Sequence, residues 1–404
     1  MSIHMNRLMI LAGNNTNKSI HGVLKSMAED FVVDEVPLYT PLGEGEHLYL
    51  TVQKTNCSHD ELIRQIARYF GIQPRDIGCA GRKDFTAKTT QQLSLYLPGQ
   101  SMSVPDSIDQ INILSYSRHS NKLRLGHLKG NQFKIRLREI ESQFYPCIQQ
   151  RLERLAAHGL PNAFGPQRFG NRGDNADIGR LWLLCDWDSL ANCLLQGGEA
   201  HNQLAMDGEY QQAMDAWPFG QPAQRNILEQ FVKGKDAKQA CNKIPRALLK
   251  LCVNAFQSMI FNEVLSKRIT DGTWNKLLVG DLAWKHEGGG RTFEVSDEDA
   301  QSLNIKNRID SFEISPTGPL WGEKMRLPSR DVLKIEQSEL RRYNIGPEHL
   351  QRMKKKALGA RRPLRVPVKQ ISMKKHKDFV ELSFILPAGS YATVVVDYLL
   401  NGEV

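Results

Sequence analysis

The pattern of hydrophobic and polar residues predicts β-strands near both ends of the chain. Apolar residues alternate with other residues over 48–53 and again over 93–97, as is typical of strands that bury one face. Over 133–138 the apolar positions alternate with lysine and arginine, which predicts a strand with one wholly basic face. A further alternation over 380–386 predicts a strand close to the end of the chain.

Helical patterns separate these strands and dominate the middle of the chain. Ser58 and Gly71 are residue types that begin and end helices, and the apolar residues between them share one helix face. A longer helix is predicted over 246–268, where apolar residues recur at helical spacing. Residues 175–245 are polar and rich in helical patterns, and residues 277–295 are typical of a hairpin. Early and late strands around a helical middle predict an α+β protein with an inserted domain.

Positive charge is concentrated in one segment of the sequence. The formal net charge of +9 suits a polyanionic partner. Residues 354–377 contain ten basic and no acidic residues, and the rest of the chain is nearly balanced. A solvated basic surface or a disordered loop would have the same composition, so the segment alone does not establish RNA binding. The ten residues are Lys354, Lys355, Lys356, Arg361, Arg362, Arg365, Lys369, Lys374, Lys375 and Lys377.

The sequence lacks the motifs that are typical of several classes of protein. The cysteines are scattered and form no C-x-x-C pair, which argues against a disulfide framework or a zinc site. The sequence has no P-loop, dinucleotide fingerprint or zinc-protease motif. Neither a signal peptide nor an apolar stretch long enough to span a bilayer is recognisable. We therefore expect a reduced, cytoplasmic location without membrane attachment.

One acidic residue stands in a basic loop. Asp84 lies in the segment AGRKDFTAKTTQ, residues 80–91, between Lys83 and Lys88. Because opposite charge favours the ionised form of a carboxylate, such an acid suits a nucleophile or a general base. A lone aspartate in a polar loop is also a common turn or capping residue, and the local sequence favours that structural interpretation.

The same segment resembles the signature of the TruD family of tRNA pseudouridine synthases. Further segments are similar to that family in the same order along the chain, so the resemblance spans nearly the whole sequence. It outweighs the local interpretation of Asp84 as a turn residue. The further segments are DFVVDEV and GEGEHLYL within 30–50, KLRLGHLKGNQFKIRLRE (122–139), GLPNAFGPQRFG (159–170), NAFQSMIFNEVLSKR (254–268) and LPAGSYATVVV (386–396).

The resemblance implies an RNA isomerase. In the implied reaction the bond between uracil N1 and ribose C1′ breaks, the base turns, and C5 joins C1′, so no metal or cofactor is expected. Asp84 matches the family's catalytic aspartate, either as a nucleophile at C1′ or as a base that takes a ribose proton. The expected partner is tRNA, at the uridine called position 13, with no membrane and no obligate protein partner.

The resemblance also implies a domain arrangement. Residues 1–158 and 365–404 would form a pseudouridine synthase catalytic domain with a mixed, largely antiparallel sheet. Residues 159–364 would form an inserted α/β domain, called the TRUD domain. RNA would lie in the cleft between them, with the basic strand and the basic segment contacting its phosphates.

Four more residues would complete the site by the same resemblance. Tyr39 and Tyr391 occupy positions where known members have phenylalanine, and Asn131 matches a substrate-contacting asparagine. A base held out of its stack needs an aromatic face and a polar partner for its edge. Lys83 is a candidate cation partner of Asp84, although neighbours on an extended segment point to opposite faces. Core tyrosines with solvent-facing hydroxyls are the alternative.

Two other functions compete with this interpretation. A non-catalytic RNA-binding protein or RNA chaperone could have the same fold without the chemistry of Asp84. An RNA methyltransferase would need a glycine-rich loop after a strand for its methyl donor, and the sequence has none. Asp84 and the full set of similar segments favour the synthase.

We predict that Tyr39→Phe or Tyr391→Phe lowers turnover or RNA affinity, because each change removes a hydroxyl hydrogen bond and keeps the ring for stacking. Pseudouridine formation and RNA binding by the two variants measure the effect. If both variants match the wild type in turnover and affinity, the hydroxyls have no role.

Overall fold

A computed structural model describes residues 20–24, 26–83, 85–100, 103–287, 290–353 and 357–402. These residues fall into two compact units. One comprises the described residues up to Leu160 and from Val366 onward, and the other comprises Pro161–Arg365.

The described residues form the following strands and helices. The strands are β1 Phe31–Pro37, β2 His47–Thr55, β3 Ile77–Cys79, β4 Lys88–Tyr96, β5 Ser107–Ile108, β6 Ile111–His119, β7 Leu128–Arg138, β8 Leu160–Pro161, β9 Leu282–Lys285, β10 Thr292–Glu294, β11 Ile314–Ser315, β12 Thr317–Leu320, β13 Ala360–Pro363, β14 Arg365–Val366, β15 Lys369–Lys375 and β16 Phe379–Pro387. The helices are α1 His59–Phe70, α2 Tyr145–His158, α3 Asn175–Leu184, α4 Trp187–Leu195, α5 Ala200–Met206, α6 Tyr210–Ala216, α7 Pro222–Val232, α8 Ala237–Cys241, α9 Arg246–Thr270, α10 Asp297–Gln301, α11 Leu303–Asp310, α12 Arg330–Arg341, α13 Pro347–Gln351 and α14 Ala392–Asn401. None of these described helices has the length and apolar composition needed to cross a bilayer.

The first unit is built on a nine-stranded sheet. Its strands follow the order β15-β16-β7-β1-β4-β2-β6-β5, and β3 pairs with β4 beside this path. Strands β1 and β4 are parallel, whereas the other described pairs of the sheet are antiparallel. The predicted α+β fold with a mixed, largely antiparallel sheet is therefore confirmed.

Helix α1 begins and ends where the sequence predicts. Ser58 Oγ accepts a hydrogen bond from Glu61 N at 3.1 Å, which satisfies an amide of the first turn that has no partner within the helix. Gly71 ends the helix in the left-handed conformation, with φ 65°, which costs glycine little. Leu62 and Ile66 are fully buried against apolar residues of β2 and β4. Helix α1 therefore covers one face of the sheet.

Strand β7 alternates as predicted. Phe133, Ile135 and Leu137 are buried, whereas Lys134 is exposed and Arg136 is half-buried. The strand is paired with β1 on one side and β16 on the other. Its basic side chains therefore lie on the sheet face opposite to its apolar ones.

The second unit is organised around helix α9. Its residues Val253, Phe256 and Ile260 are at most 1% exposed and share one apolar cluster with residues of α3, α4 and α8. This confirms the helix predicted over 246–268. Helices α3 to α8 confirm the helical pattern predicted before it, and the antiparallel pair β9 and β10 confirms the predicted hairpin.

Buried ion pairs stabilise the second unit. Arg268 donates to both oxygens of Asp281 at 3.0 and 2.9 Å, and their side chains are 1% and 0% exposed. Arg361 likewise donates to both oxygens of the buried Glu336. Buried charges are tolerated only when they are paired and hydrogen-bonded, so each member of these pairs depends on its partner.

We predict that Arg268→Met destabilises the protein by about 3–5 kcal/mol, because the Asp281 carboxylate would remain buried without its cation. Urea unfolding of wild type and variant measures the difference in free energy of unfolding. Asp331→Asn is the control, because it removes an exposed ion pair with Lys334 and should leave stability nearly unchanged. Equal stability of wild type and Arg268→Met would contradict the role assigned to Arg268.

Candidate active site

The residues around Asp84 form the candidate site, although Asp84 itself lies outside the described residues. Lys83 immediately precedes it in the chain. The segment that carries them follows β3, which is paired with β4 through Cys79 and Leu93. It continues into β4 at Lys88, which is paired with β1. Both described ends of the segment therefore lie in the sheet of the first unit.

Lys83, Glu35 and Asn131 form a polar cluster, which we call the Lys83 network. Lys83 Nζ lies 3.1 Å from Glu35 Oε2 in an ion pair whose side chains are 6% and 2% exposed. The same ammonium donates a hydrogen bond to Asn131 Oδ1. Glu35 Oε1 accepts a hydrogen bond from Gln92 N at 3.2 Å. The structure thus brings two of the predicted site residues, Lys83 and Asn131, into direct contact.

The register of the sheet positions this network. Glu35 of β1 is paired with Asn131 of β7, and Asn131 is paired with Leu386 of β16. Gly130 allows β16 to approach closely, because a Cβ at this position would lie 2.2 Å from Leu386 O. The Gly-Asn pair of LKGNQF therefore combines a close strand contact with a polar side chain.

The Lys83 network lies on the sheet face that α1 covers. Side chains that alternate along a strand share a face; Glu35 alternates with Val33, which is paired with Thr89 of β4. Thr89 shares its face with Gln91 and Leu93, and Leu93 packs against α1. Thr89 and Gln91 are at most 1% exposed, and their side-chain polar atoms have no hydrogen-bond partner among the described residues. Buried polar atoms without a partner are uncommon in proteins.

Tyr39 lies on the opposite face of the sheet. Its hydroxyl is 3.2 Å from the hydroxyl of Tyr49 and 3.1 Å from His127 Nδ1, and its ring stacks on His119 with centroids 5.1 Å apart. Tyr49 alternates with Leu50, which packs against α1. Burial, together with the hydrogen bond to Tyr39, raises the pKa of Tyr49 above its usual value. The contacts of Tyr39 are therefore separate from the Lys83 network, and its contact with substrate stays a prediction.

Tyr39 also lines a cavity of about 300 Å³. The lining includes hydroxyl and amide groups of Tyr49, Thr51, Gln92 and Ser115. A cavity of this volume, lined by uncharged polar side chains, has room for a small polar ligand.

Tyr391 directly precedes helix α14, with φ −112° and ψ 120°. Strand β16 ends at Pro387, which is paired with Gly130, next to Asn131. Tyr391 thus follows the strand end that lies beside Asn131. Its contact with substrate also stays a prediction.

Glu35 is a member of the Lys83 network that the sequence pattern did not identify. It stands among valines in DFVVDEV, and it shares its strand face with Phe31 and Val33, both of which are buried. Acidic residues are rarely buried without a partner. An acidic residue at an inward-facing position of an otherwise apolar strand therefore indicates a buried ion pair, and this feature of the sequence could have identified Glu35.

Two basic residues of β7 that were expected to contact RNA are bound within the protein. Arg138 donates to both oxygens of Asp30 at 2.9 and 2.7 Å, and the Asp30 side chain is fully buried. Arg136 lies 3.4 Å from Glu381. Lys134 of the same strand face is exposed. The basic face of β7 is therefore partly neutralised by neighbouring acids.

The basic segment 354–377 divides into buried and exposed residues, and its first three lysines lie outside the described residues. Arg361 is buried against Glu336, and Arg365 is 3% exposed and donates to Ser315 Oγ. The expectation that these two arginines meet phosphates is wrong, because their guanidinium groups satisfy buried acceptors. The exposed lysines of the segment are Lys369, Lys374, Lys375 and Lys377.

The chain is similar to one protein family over nearly its whole length. A family model described as tRNA pseudouridine synthase D (TruD) matches residues 14–398. A relative named tRNA pseudouridine synthase D from Geobacter metallireducens is 36% identical, over 94% of this chain and 95% of its own. The protein of that name from Syntrophotalea carbinolica is 34% identical, over 95% and 97%. A solved structure described as a putative tRNA pseudouridine synthase D from Methanosarcina mazei covers 98% of both chains, with 23% identity and a TM-score of 0.80.

These similarities define the fold and then the family. The likeness to the Methanosarcina mazei structure shows that the two chains share an α+β fold. The family model and the relatives show that this chain belongs to the TruD family of tRNA pseudouridine synthases. The family predicted from AGRKDFTAKTTQ and its companion segments is confirmed.

The pair of Asp30 and Arg138 should make stability depend on pH. Burial alone would raise the pKa of Asp30, but hydrogen bonds from Arg138 and from Met27 N outweigh this effect and hold the pKa below its usual value. A depressed pKa in the folded state stabilises the protein above the unfolded value, and this stabilisation is lost as pH falls through the folded pKa.

We therefore predict that wild type exceeds Asp30→Asn in free energy of unfolding by a constant amount above about pH 5 and by less as pH falls below about 4. Urea unfolding of both proteins across this range measures the difference. A difference that does not change with pH would show that the pKa of Asp30 is the same in the folded and unfolded protein, which contradicts the lowered pKa.

Proposed function

We propose that this protein isomerises a uridine of tRNA, the one called position 13, to pseudouridine, and that Asp84 is the catalytic carboxylate. Membership of the TruD family over nearly the whole chain supports the reaction and the substrate. The observation that carries the site assignment is the buried Lys83 network, because its lysine is the chain neighbour of Asp84.

The chemistry requires an ionised acid near C1′ of the ribose. Asp84 either attacks C1′ as the N1 bond breaks or removes a ribose proton so that the base departs. The freed uracil turns and C5 bonds to C1′ as the bond to Asp84 breaks or as the ribose proton returns from Asp84. C5 then loses its proton to solvent, and N1 gains a proton. The reaction needs no added reagent. The protein therefore has to position the uridine and Asp84 and to allow protons to exchange with solvent.

Asn131 and Tyr391 are proposed to hold the base. Asn131 Oδ1 already accepts from Lys83, so its Nδ2 group is left to donate to a uracil carbonyl. Tyr391 follows the strand end beside Asn131, and its ring would offer an aromatic face for stacking. Tyr39 would contact RNA through its own cavity on the other face of the sheet.

The catalytic domain is proposed to comprise residues 1–158 and 365–404, with 159–364 as the inserted domain. The compactness of the two units supports this assignment. A tRNA substrate is consistent with a cytoplasmic location. Exposed lysines would contact RNA phosphates, which adds salt-dependent affinity and leaves chemical specificity to the bound uridine. The proposed phosphate contacts are Lys129, Lys134, Lys369, Lys374, Lys375 and Lys377.

We predict that wild-type protein forms pseudouridine in tRNA without an added cofactor and that Asp84→Asn lowers this rate at least about 10³-fold, because an amide cannot act as nucleophile or base. Mapping pseudouridine in tRNA after incubation with each protein measures the effect. Asp106→Asn, which alters an exposed acid of the same unit, is the matched control and should react like wild type.

Two outcomes would contradict this assignment. Pseudouridine formed by Asp84→Asn at the wild-type rate would remove Asp84 from the mechanism. Tight binding of tRNA by wild type without product would favour a non-catalytic RNA-binding protein or RNA chaperone.

A further inference from the structure

We propose that Glu35 is a positioning residue for pseudouridine formation. Its carboxylate holds the Lys83 ammonium against Asn131 Oδ1, which fixes the orientation of the Asn131 amide. This inference rests on the proposed function, because it assigns a role within the same site.

The burial of the ion pair between Glu35 and Lys83 is the first observation that supports this proposal. The side chains of Glu35 and Lys83 are 2% and 6% exposed, and the charged atoms lie 3.1 Å apart. An unpaired charge at such depth is strongly unfavourable, so each residue requires the other. Glu35 therefore neutralises the charge of Lys83.

The chemistry of the ammonium group fixes the Asn131 amide. A lysine ammonium has donors only, so the amide atom that faces Lys83 must be the oxygen. The Nδ2 group then points away from Lys83 and can donate to a carbonyl oxygen of uracil. Without this cation the amide could rotate by half a turn and present its oxygen to the same carbonyl, because the two amide ends have nearly the same shape.

Glu35 is also anchored to the sheet. Its Oε1 accepts a hydrogen bond from Gln92 N at 3.2 Å, and Glu35 is paired with Asn131 across β1 and β7. The ion pair therefore positions the polar partner that we propose for the base.

The test measures single-turnover pseudouridine formation in tRNA by the full-length protein. Glu35→Gln should lower the rate constant about 10²-fold, as expected for a misplaced catalytic group, and should change the tRNA dissociation constant less than about twofold. In a Lys83→Met background, Glu35→Gln should cause no further loss, because Glu35 acts through Lys83. A wild-type rate for Glu35→Gln, or losses that multiply in the double variant, would overturn the proposal.

A matched control separates positioning from stability. Glu336→Gln removes an equally buried carboxylate from an ion pair of the other unit. It should lower the unfolding midpoint as Glu35→Gln does, and the folded enzyme should react at the wild-type rate. If Glu336→Gln slows the reaction as much as Glu35→Gln, loss of stability explains both effects and the positioning role is wrong.

The double variant keeps the test valid where Glu35→Gln does not fold. Glu35→Gln with Lys83→Met leaves no unpaired buried charge, so it should fold more readily than Glu35→Gln alone. It should react as slowly as Lys83→Met, because the Asn131 amide has lost its cation. A double variant that reacts at the wild-type rate would contradict the proposal.

The outcomes also separate this inference from the proposed function. Wild-type protein that forms no pseudouridine in tRNA contradicts the function itself. Crystal structures of wild type and Glu35→Gln test the inference without any activity. In the variant the Lys83 ammonium should leave Asn131 Oδ1, and a contact that is unchanged would show that Glu35 does not position it.

Discussion

A carboxylate buried at Glu35 persists only if a cation reaches it, and in the described structure that cation is Lys83. This constraint joins three parts of the chain that are distant in sequence: β1, the segment before β4, and β7. The strands supply the geometry, because the register that pairs Glu35 with Asn131 also presents both side chains to Lys83. The Lys83 network therefore depends on the sheet.

The same requirement for paired buried charge governs the rest of the molecule and changes how its basic residues are interpreted. Arg268, Arg361 and Arg138 are each bound to a buried acid. They raise the count of basic residues without offering charge to a polyanion. The basic surface available to a polyanion is therefore smaller than the sequence indicates, and the exposed cations described within 354–377 are lysines. Since lysine side chains are long and strongly hydrated, they suit contacts that follow the RNA backbone without reading its sequence.

Helices and strands whose formation depends on residues close together in the chain could be predicted from the sequence. Helix α1 has its own cap and stop residues, and β7 has its own alternation, so neither depends on distant residues. The family could also be predicted, because its segments are continuous stretches of sequence. The ion pair of Glu35 and Lys83 could not, since it depends on which strands become neighbours. The position of Tyr39 could not be predicted either, because the turn-rich sequence around it does not indicate which face of the sheet this part of the chain covers.

The proposed formation of pseudouridine in tRNA by this chain can be measured directly. Uridine C5 loses its hydrogen when it joins C1′, so tRNA labelled with tritium at C5 of its uridines reports the reaction directly. Purified protein without added cofactor should release tritium to water until a single uridine of each tRNA has been converted. Protein that binds this tRNA and releases no tritium would contradict the account.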